Sequence, residues 1–391
     1  MARALLTRDA LRLVLLVSLA HALVHVFELS LPSVEQEIDA EFQCGPQITG
    51  LLGTCWRFPW GLGAIFAGWL VDRYGSRIML SIYLLGCAAM CVATAVTTQL
   101  NGLFLPMIGM GTLAAIYHPA GLSLISQATT EESRPYALGI HGIFGSLGIG
   151  GTPFIAGLIL FSGMGWRSLY WLLVLPTVGL AIVFVGSRIG KTRPERRHET
   201  NAQDRPDWTS FGMLVLVAIL SGITYSAFLH FLPRYLSNHS LPADSSGGAG
   251  RDQMLAGGLL LLGCIGQYLS GSLARHKVLE WQLTLVMLLN VPCLAAMSIA
   301  SGWLRAAAAG TFALVHFMHQ PIYNSLVAKY TPVSRRSLCY GFSFTMGLGL
   351  GGIGPSLAGL SSSNLVTYLW LAAAALAGTI VSLLLAMRNR I

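Results

Sequence analysis

The sequence predicts an all-α membrane protein: twelve transmembrane helices in two six-helix bundles, related by a pseudo-twofold axis (6+6). Three observations predict it. Of 391 residues, 54% are hydrophobic and only 10% charged, against about 25% charged in a soluble domain. Twelve apolar runs, each near the ~20 residues that cross a bilayer, follow one another along the chain. The second half of the chain also echoes the first. Such a composition excludes an ordinary cytosolic enzyme, a nucleic-acid-binding domain and a disordered tail. Seven cysteines, most inside apolar runs, argue against a disulfide framework.

The runs lie near residues 11–33, 46–71, 77–98, 102–127, 135–161, 165–187, 211–236, 253–274, 278–300, 303–328, 336–361 and 364–387. None alternates with period two, so a β-barrel is excluded. The first run, preceded by arginines, has the outline of a cleavable signal, but its recurrence later in the chain makes it a span. With both termini cytoplasmic, 19 of the 24 lysines and arginines fall on the inner side and four on the outer, with Arg57 inside a span. That split obeys the positive-inside rule for a multi-pass protein of the inner (plasma) membrane. The net charge of +8 thus reports orientation and contact with anionic membrane lipid, not nucleic acid.

At an offset of 202, Pro119, Ser123, Leu124, Thr129, Arg134, Gly139, Gly145, Gly150, Pro153, Ala156, Gly157 and Leu158 recur as Pro321, Ser325, Leu326, Thr331, Arg336, Gly341, Gly347, Gly352, Pro355, Ala358, Gly359 and Leu360. That is 12 identities in 40 ungapped positions. Phe27, Leu31 and Pro32 match Phe228, Leu232 and Pro233 at an offset of 201. With six spans each, the halves are parallel repeats about an axis along the membrane normal. The expected domains are an N-terminal bundle over 1–187, a cytoplasmic linker over 188–210 and a C-terminal bundle over 211–391.

Between the second and third spans, Gly68, Leu70, Asp72, Arg73, Gly75 and Arg77 stand in the pattern G-x-L-x-D-R-x-G-x-R. With twelve spans and the 6+6 repeat, the whole chain resembles the major facilitator superfamily of secondary transporters. Ser76 departs from the pattern where a basic residue is usual, and the second copy, Gly271 to Lys277, has Arg275 in place of the aspartate. The resemblance implies the major-facilitator fold, alternating access, and a cavity lined by spans one, four, seven and ten. It also implies that Gly68, Asp72, Arg73, Gly75 and Arg77 form a conformational latch stabilising the outward-facing state. Locally, Gly68 suits close helix packing and Gly75 a tight turn. Asp72 suits a helix N-terminus of the other half, and the arginines suit acids or lipid phosphate. The glycine-rich fifth span, Gly145 to Gly157, loosely resembles an exporter motif, but Thr152 interrupts its glycine-proline pair.

Ionisable groups at bilayer depth cost about 2.5–3.5 kcal/mol each on insertion scales and point to a cavity. His21, His25 and Glu28 share one face of the first span through spacings of four and three. Arg57 lies near the midplane of the second span, His118 in the fourth, and His316 and His319 in the tenth, close to Gln320 and Asn324. Glu28 is the expected proton-carrying carboxylate, with His25, His21 and His316 titrating beside it. Arg57 is the expected anchor for an anionic substrate, with His118, His319, Asn324 and Tyr225 completing the binding set. A permanent structural Glu28–Arg57 bridge is the other reading of that pair. His141, near the inner end, and His230, near the outer end, read as gate or packing residues. Cys87 and Cys91 read as packing residues, and Trp56, Trp60 and Phe27 as lesser candidates for aromatic walls.

The function expected is transport, not catalysis: a small organic solute, of anionic form if Arg57 holds it, moved by alternating access and driven by protons, with a slight lean to efflux. A proton-coupled uptake symporter for an organic anion or metal chelate is the alternative. A histidine-ligated haem or metal redox protein is the rival from another class, with His25, His118 and His319 as ligands. No cofactor and no resident metal are expected. The partners are the substrate, protons and lipid, and the chain is expected to act as a monomer.

Overall fold

The computed structural model describes residues 6–129, 133–186, 206–237, 248–275, 277–332, 336–361 and 363–389. The first half holds α1 (Arg8–Ser30), a short α2 (Glu35–Phe42), α3 (Gly45–Tyr74), α4 (Ser76–Val96), α5 (Phe104–Ala114), α6 (Tyr117–Ala128), α7 (Arg134–Phe161) and α8 (Arg167–Gly186). The second half holds α9 (Trp208–Ser237), α10 (Gly248–Leu273), α11 (Leu279–Ile299), α12 (Trp303–Phe317), α13 (His319–Tyr330), α14 (Arg336–Phe344), α15 (Gly354–Gly359) and α16 (Asn364–Arg388). Taking α5–α6, α12–α13 and α14–α15 as single crossings gives twelve spans. Among the described residues, nine segments are long and apolar enough to be recognised as spans by length and composition alone. The others are α3, which carries Arg57, and the interrupted tenth and eleventh spans.

The interruptions differ from the continuous runs expected of the sequence, and their cause is local. Proline has no N–H and crowds the carbonyl four residues back. Pro119 sits four residues after Ala115, where the fourth span breaks, and Pro321 four after Phe317, where the tenth breaks. The two breaks, at Ile116 and Met318, are themselves 202 residues apart, the offset of the sequence repeat. The eleventh span is looser still, with a π turn over Thr345–Leu350 and a 3-10 turn over Gly351–Ile353 joining α14 to α15. Its counterpart α7 runs unbroken past Pro153.

Helix contacts repeat with a shift of six spans. Within the halves, α1 packs on α7 and α4 on α8, mirrored by α9 on α14–α15 and α11 on α16. Between them, α7 packs on α10 and α3 on the π turn and α15. Those two contacts exchange under the pseudo-twofold axis. Each half has its own apolar core, and Leu29 and Ile149 of the first reach into that of the second. Large side chains such as Leu105 and Leu175, at least three-quarters exposed, face outward as lipid contact requires.

Span boundaries agree with the sequence expectations to within a few residues. The largest shift is at α10, which begins at Gly248 and not 253. The start of α9 moves from 211 to Trp208 because Asp207 accepts from the Ser210 amide at 3.0 Å and hydroxyl at 2.6 Å, the geometry of an N-cap. The six basic residues of the linker 188–210 lie outside the described residues.

Candidate transport site and gates

The first span delivers its polar face as its spacing requires. One oxygen of Glu28 accepts from Arg57 Nη1 at 2.6 Å and the other meets His25 Nδ1 at 2.7 Å. Glu28 and Arg57 are both 2% exposed. The second guanidinium nitrogen, Arg57 Nη2, is buried without a hydrogen-bond partner among the described residues. Tyr225 of α9 presents its ring 5.7 Å from the Arg57 guanidinium. The pair therefore sits where the halves meet.

Behind it lies a cluster of imidazoles. His21 Nδ1 donates to the His141 carbonyl at 2.8 Å, and the two rings stack at 3.8 Å. His141 Nε2 meets the Tyr117 hydroxyl at 2.8 Å, and that hydroxyl donates to the Val17 carbonyl at 2.8 Å. His118, in the first turn of α6, lies 5.5 Å from His21 and 6.1 Å from His25 between ring centroids. Its ring also stacks on Phe344 of the second half at 6.0 Å. Trp60 closes the side, 5.9 Å from His118 and 5.0 Å from Trp56.

His316 and His319 form a separate cluster in the second half. Their rings lie 5.0 Å apart, and His319 reaches Ser221 at 3.3 Å and Tyr323 at 6.4 Å between rings. Tyr225 stacks on His316 at 5.9 Å, so this one ring touches both the ion pair and the second cluster. Asn324 joins neither. Its side chain makes no hydrogen bond with any described residue, and its carbonyl accepts from the Tyr340 hydroxyl at 2.6 Å.

Sequence reasoning missed His141 and Tyr117 as parts of the cluster. His141, toward the inner end of α7, lies against His21, because α1 and α7 pack closely along their lengths. A third-turn histidine on a glycine-rich span was the available signal. A carboxylate also joins the histidines, through the Glu28–His25 contact. His230 stays near the far end, against Gly53 and Phe231. Cys87 and Cys91 are buried packing residues.

The halves are closed at the end remote from the termini. Arg234 of α9 binds Glu35 through two hydrogen bonds of 2.7 and 2.8 Å and Asp39 through one of 2.8 Å. Ser237 donates to Gln36 at 2.7 Å, and Ser356 to Thr54 at 2.8 Å. At the terminal end, every ion pair among the described residues stays within one half: Arg12–Asp9, Lys329–Glu280 and Arg388–Asp207.

Among the described residues, the side chains expected to form a latch find their contacts within their own half. Gly75 makes the turn from α3 to α4 at φ +86°, as its sequence position predicts. Arg77 donates to the Phe184 and Val185 carbonyls of its own half. Arg73 lies over the Trp69 and Tyr74 rings. Asp72 is exposed and forms no ion pair or hydrogen bond among the described residues. Gly68 has no neighbour that a Cβ would touch, so close packing at Gly68 is not what this arrangement uses.

The Major Facilitator Superfamily pattern matches residues 16–355 of the chain. The chain belongs to that family. Membership places it with multi-pass membrane transporters and not with enzymes. It is similar to the nitrate/nitrite transporter NrtP of Nostoc punctiforme, at 27% identity over 38% of this chain and 30% of the relative. It is also similar to the probable L-galactonate transporter of Escherichia coli, at 24% identity over 57% of this chain and 52% of the relative. The chain thus spans about half or less of the length of these curated relatives. Among solved structures, the inward-open xylose transporter XylE of E. coli has a TM-score of 0.77 at 12% identity, covering 96% of this chain and 95% of that one. A bacterial homologue of the human lysosomal transporter Spinster gives 0.73 at 16% identity, covering 96% and 94%. These likenesses establish the fold.

Proposed function

We propose that the protein is a proton-coupled secondary transporter of a small organic anion, in the inner membrane with both termini cytoplasmic, caught facing the cytoplasm. The observation that carries this reading is the buried Glu28–Arg57 pair, held at 2.6 Å with Arg57 Nη2 unpartnered. Guanidinium stays charged and grips a carboxylate or phosphate with two bonds, and here Nη2 has no partner among the described residues while Nη1 is held by an exchangeable carboxylate.

The chemistry couples two ligands. With the site empty, Glu28 stays ionised against Arg57. An arriving anion takes the guanidinium, and Glu28 loses its cation. A buried carboxyl without a neighbouring cation favours its neutral form, so anion and proton enter together. His25, bonded to the other Glu28 oxygen at 2.7 Å, keeps that carboxylate in place while Arg57 changes partner. The broken fourth and tenth spans support the anion reading, since half-helix N-termini at mid-membrane favour negative charge. His118 lies in the first turn of one and His319 in that of the other.

Joint binding of anion and proton is symport, so the uptake alternative gains over efflux. The lean to efflux draws on the fifth-span glycines, and packing accounts for two of them. Gly150 faces Gly257, and Gly157 faces Gly250, across the α7–α10 contact.

The test is anion flux in proteoliposomes under an imposed pH gradient, after a thermal-shift screen identifies an anion that raises the Tm. The parent should accumulate the anion and take up protons with it, and Glu28→Gln should transport without gradient dependence. Parental flux in Arg57→Gln, or gradient-insensitive flux in the parent, overturns the reading.

A further inference from the structure

We propose that His21, His25 and His118 form a three-imidazole site for a divalent transition-metal ion of the zinc, cobalt or nickel kind, with one coordination position left open. One ring nitrogen from each of these three side chains lies within 4.8 Å of the other two. In a tetrahedral site with metal–nitrogen bonds of about 2.0–2.1 Å, they come to about 3.3 Å apart. Small rotations of the rings span that difference.

The hydrogen bonds around the cluster decide which nitrogens are free. A backbone carbonyl only accepts, so His21 Nδ1, 2.8 Å from the His141 carbonyl, carries the proton. Its Nε2 therefore holds a lone pair when the ring is neutral. Glu28, ionised against Arg57, accepts in the same way from His25 Nδ1 at 2.7 Å. That leaves His25 Nε2 as the second lone pair. A carboxylate and a carbonyl on the outer nitrogens are the partners that orient and strengthen metal-binding imidazoles. His118 makes no hydrogen bond with any described residue and is half-buried. Hydrogen-bonded interhelical histidines would spend their acceptor nitrogens on donors. Here three acceptor-capable rings converge with no donor among the described residues.

The surroundings suit a borderline metal. Imidazole matches zinc, cobalt and nickel better than hard cations, which require oxygen ligands. Trp60 beside His118, and Tyr117 5.3 Å from the same ring, keep the pocket dry on two sides. The Glu28–Arg57 pair is neutral in sum, so the ion's charge falls to the fourth ligand. A small anion entering between the halves fills that position, which deepens the transport reading of the same cavity without depending on it for the metal site itself.

Cobalt(II) titrated into the purified full-length chain is the probe. One equivalent should bind per chain, with intense visible d–d absorption of a low-coordinate site and no thiolate charge-transfer band. His21→Ala and His118→Ala should each weaken binding by at least about tenfold, while His230→Gln leaves it unchanged. Because a cluster variant can fail to fold, X-ray absorption of the zinc-loaded parent is the second measurement, and it should show three imidazole ligands. Sulfur scattering, fewer than two imidazoles, or cobalt affinity indifferent to both substitutions overturns the site. No cobalt binding alongside Arg57-dependent anion flux removes the metal site alone. Cobalt bound by a chain that moves no anion removes the transport reading alone.

Discussion

Arg234 of α9 and Glu35 of α2 are joined by two parallel hydrogen bonds, 2.7 and 2.8 Å long, with the Glu35 side chain fully buried. The pair ties one half to the other across 199 residues of chain, and Asp39 adds a third bond. It is the polar bolt of the closed end. Removing one partner of a buried pair leaves an uncompensated charge, at a cost of about 3–5 kcal/mol. Arg234→Ala should therefore open this end. In a background with the native cysteines replaced, a cysteine at Thr54, which the closure covers through Ser356, should react with a water-soluble maleimide at least about tenfold faster. An unchanged rate means that other contacts hold the closure.

Asp72 behaves oppositely, because it is exposed and has no ion-pair partner among the described residues. Asp72→Asn should leave the stability of this conformer within about 0.5 kcal/mol of the parent, and its Tm nearly unchanged, as for other surface changes. It should slow transport by disfavouring the state in which the latch engages. Double electron–electron resonance between labels at the terminal ends of α3 and α13 reads the population. A large fall in Tm with no population shift would make Asp72 a folding residue.

The α7–α10 contact is set by small residues. A Cβ at Gly257 would lie 2.5 Å from the Gly150 carbonyl oxygen, and one at Gly250 2.5 Å from that of Gly157. Neither neighbour is a flexible side chain, so the helices themselves have to separate. Overpacking of this kind costs about 1–3 kcal/mol. Gly257→Val should lower the Tm and slow exchange between conformers, whereas the same change at Gly258, which has open space, should do neither.

Outside the membrane, Arg167 holds the Glu41 carboxyl below the ordinary carboxylate range through hydrogen bonds of 2.6 Å, and Trp166 adds one of 2.8 Å, against a smaller upward push from burial. A depressed carboxyl contributes stability that is complete above its unfolded value and lost as pH falls through the folded one. The gain of the parent over Glu41→Gln should be level at neutral pH and vanish on acidification. The groups are 30% and 39% exposed, so the gain is no more than about 1 kcal/mol. Thermal melts of both proteins from neutral to acidic pH read it directly.

Much of the candidate site is legible in order of residues. His21, His25 and Glu28 are four and three apart, and a helix places such residues on one face wherever it packs. Pro119 and Pro321 likewise announce where two spans break. What spacing leaves open is the partner across the interface. Nothing local in α3 says whether Arg57 meets Glu28 or lipid, and nothing in α7 brings His141 under His21. Asn324 shows the converse, since its place on a cavity-type span does not carry its side chain to the site.

By itself, the sequence determined the crossings, the duplication behind the pseudo-twofold axis and the short set of ionisable groups in the membrane, because apolar run length, offset identity and desolvation cost are properties of single segments. Tertiary structure alone decided that Glu28 takes Arg57, that three imidazoles converge beside them and that the end bearing Arg234 is shut. Those outcomes depend on the register and tilt of helices distant in the chain, where a shift of one turn replaces every partner while each segment keeps its own pattern.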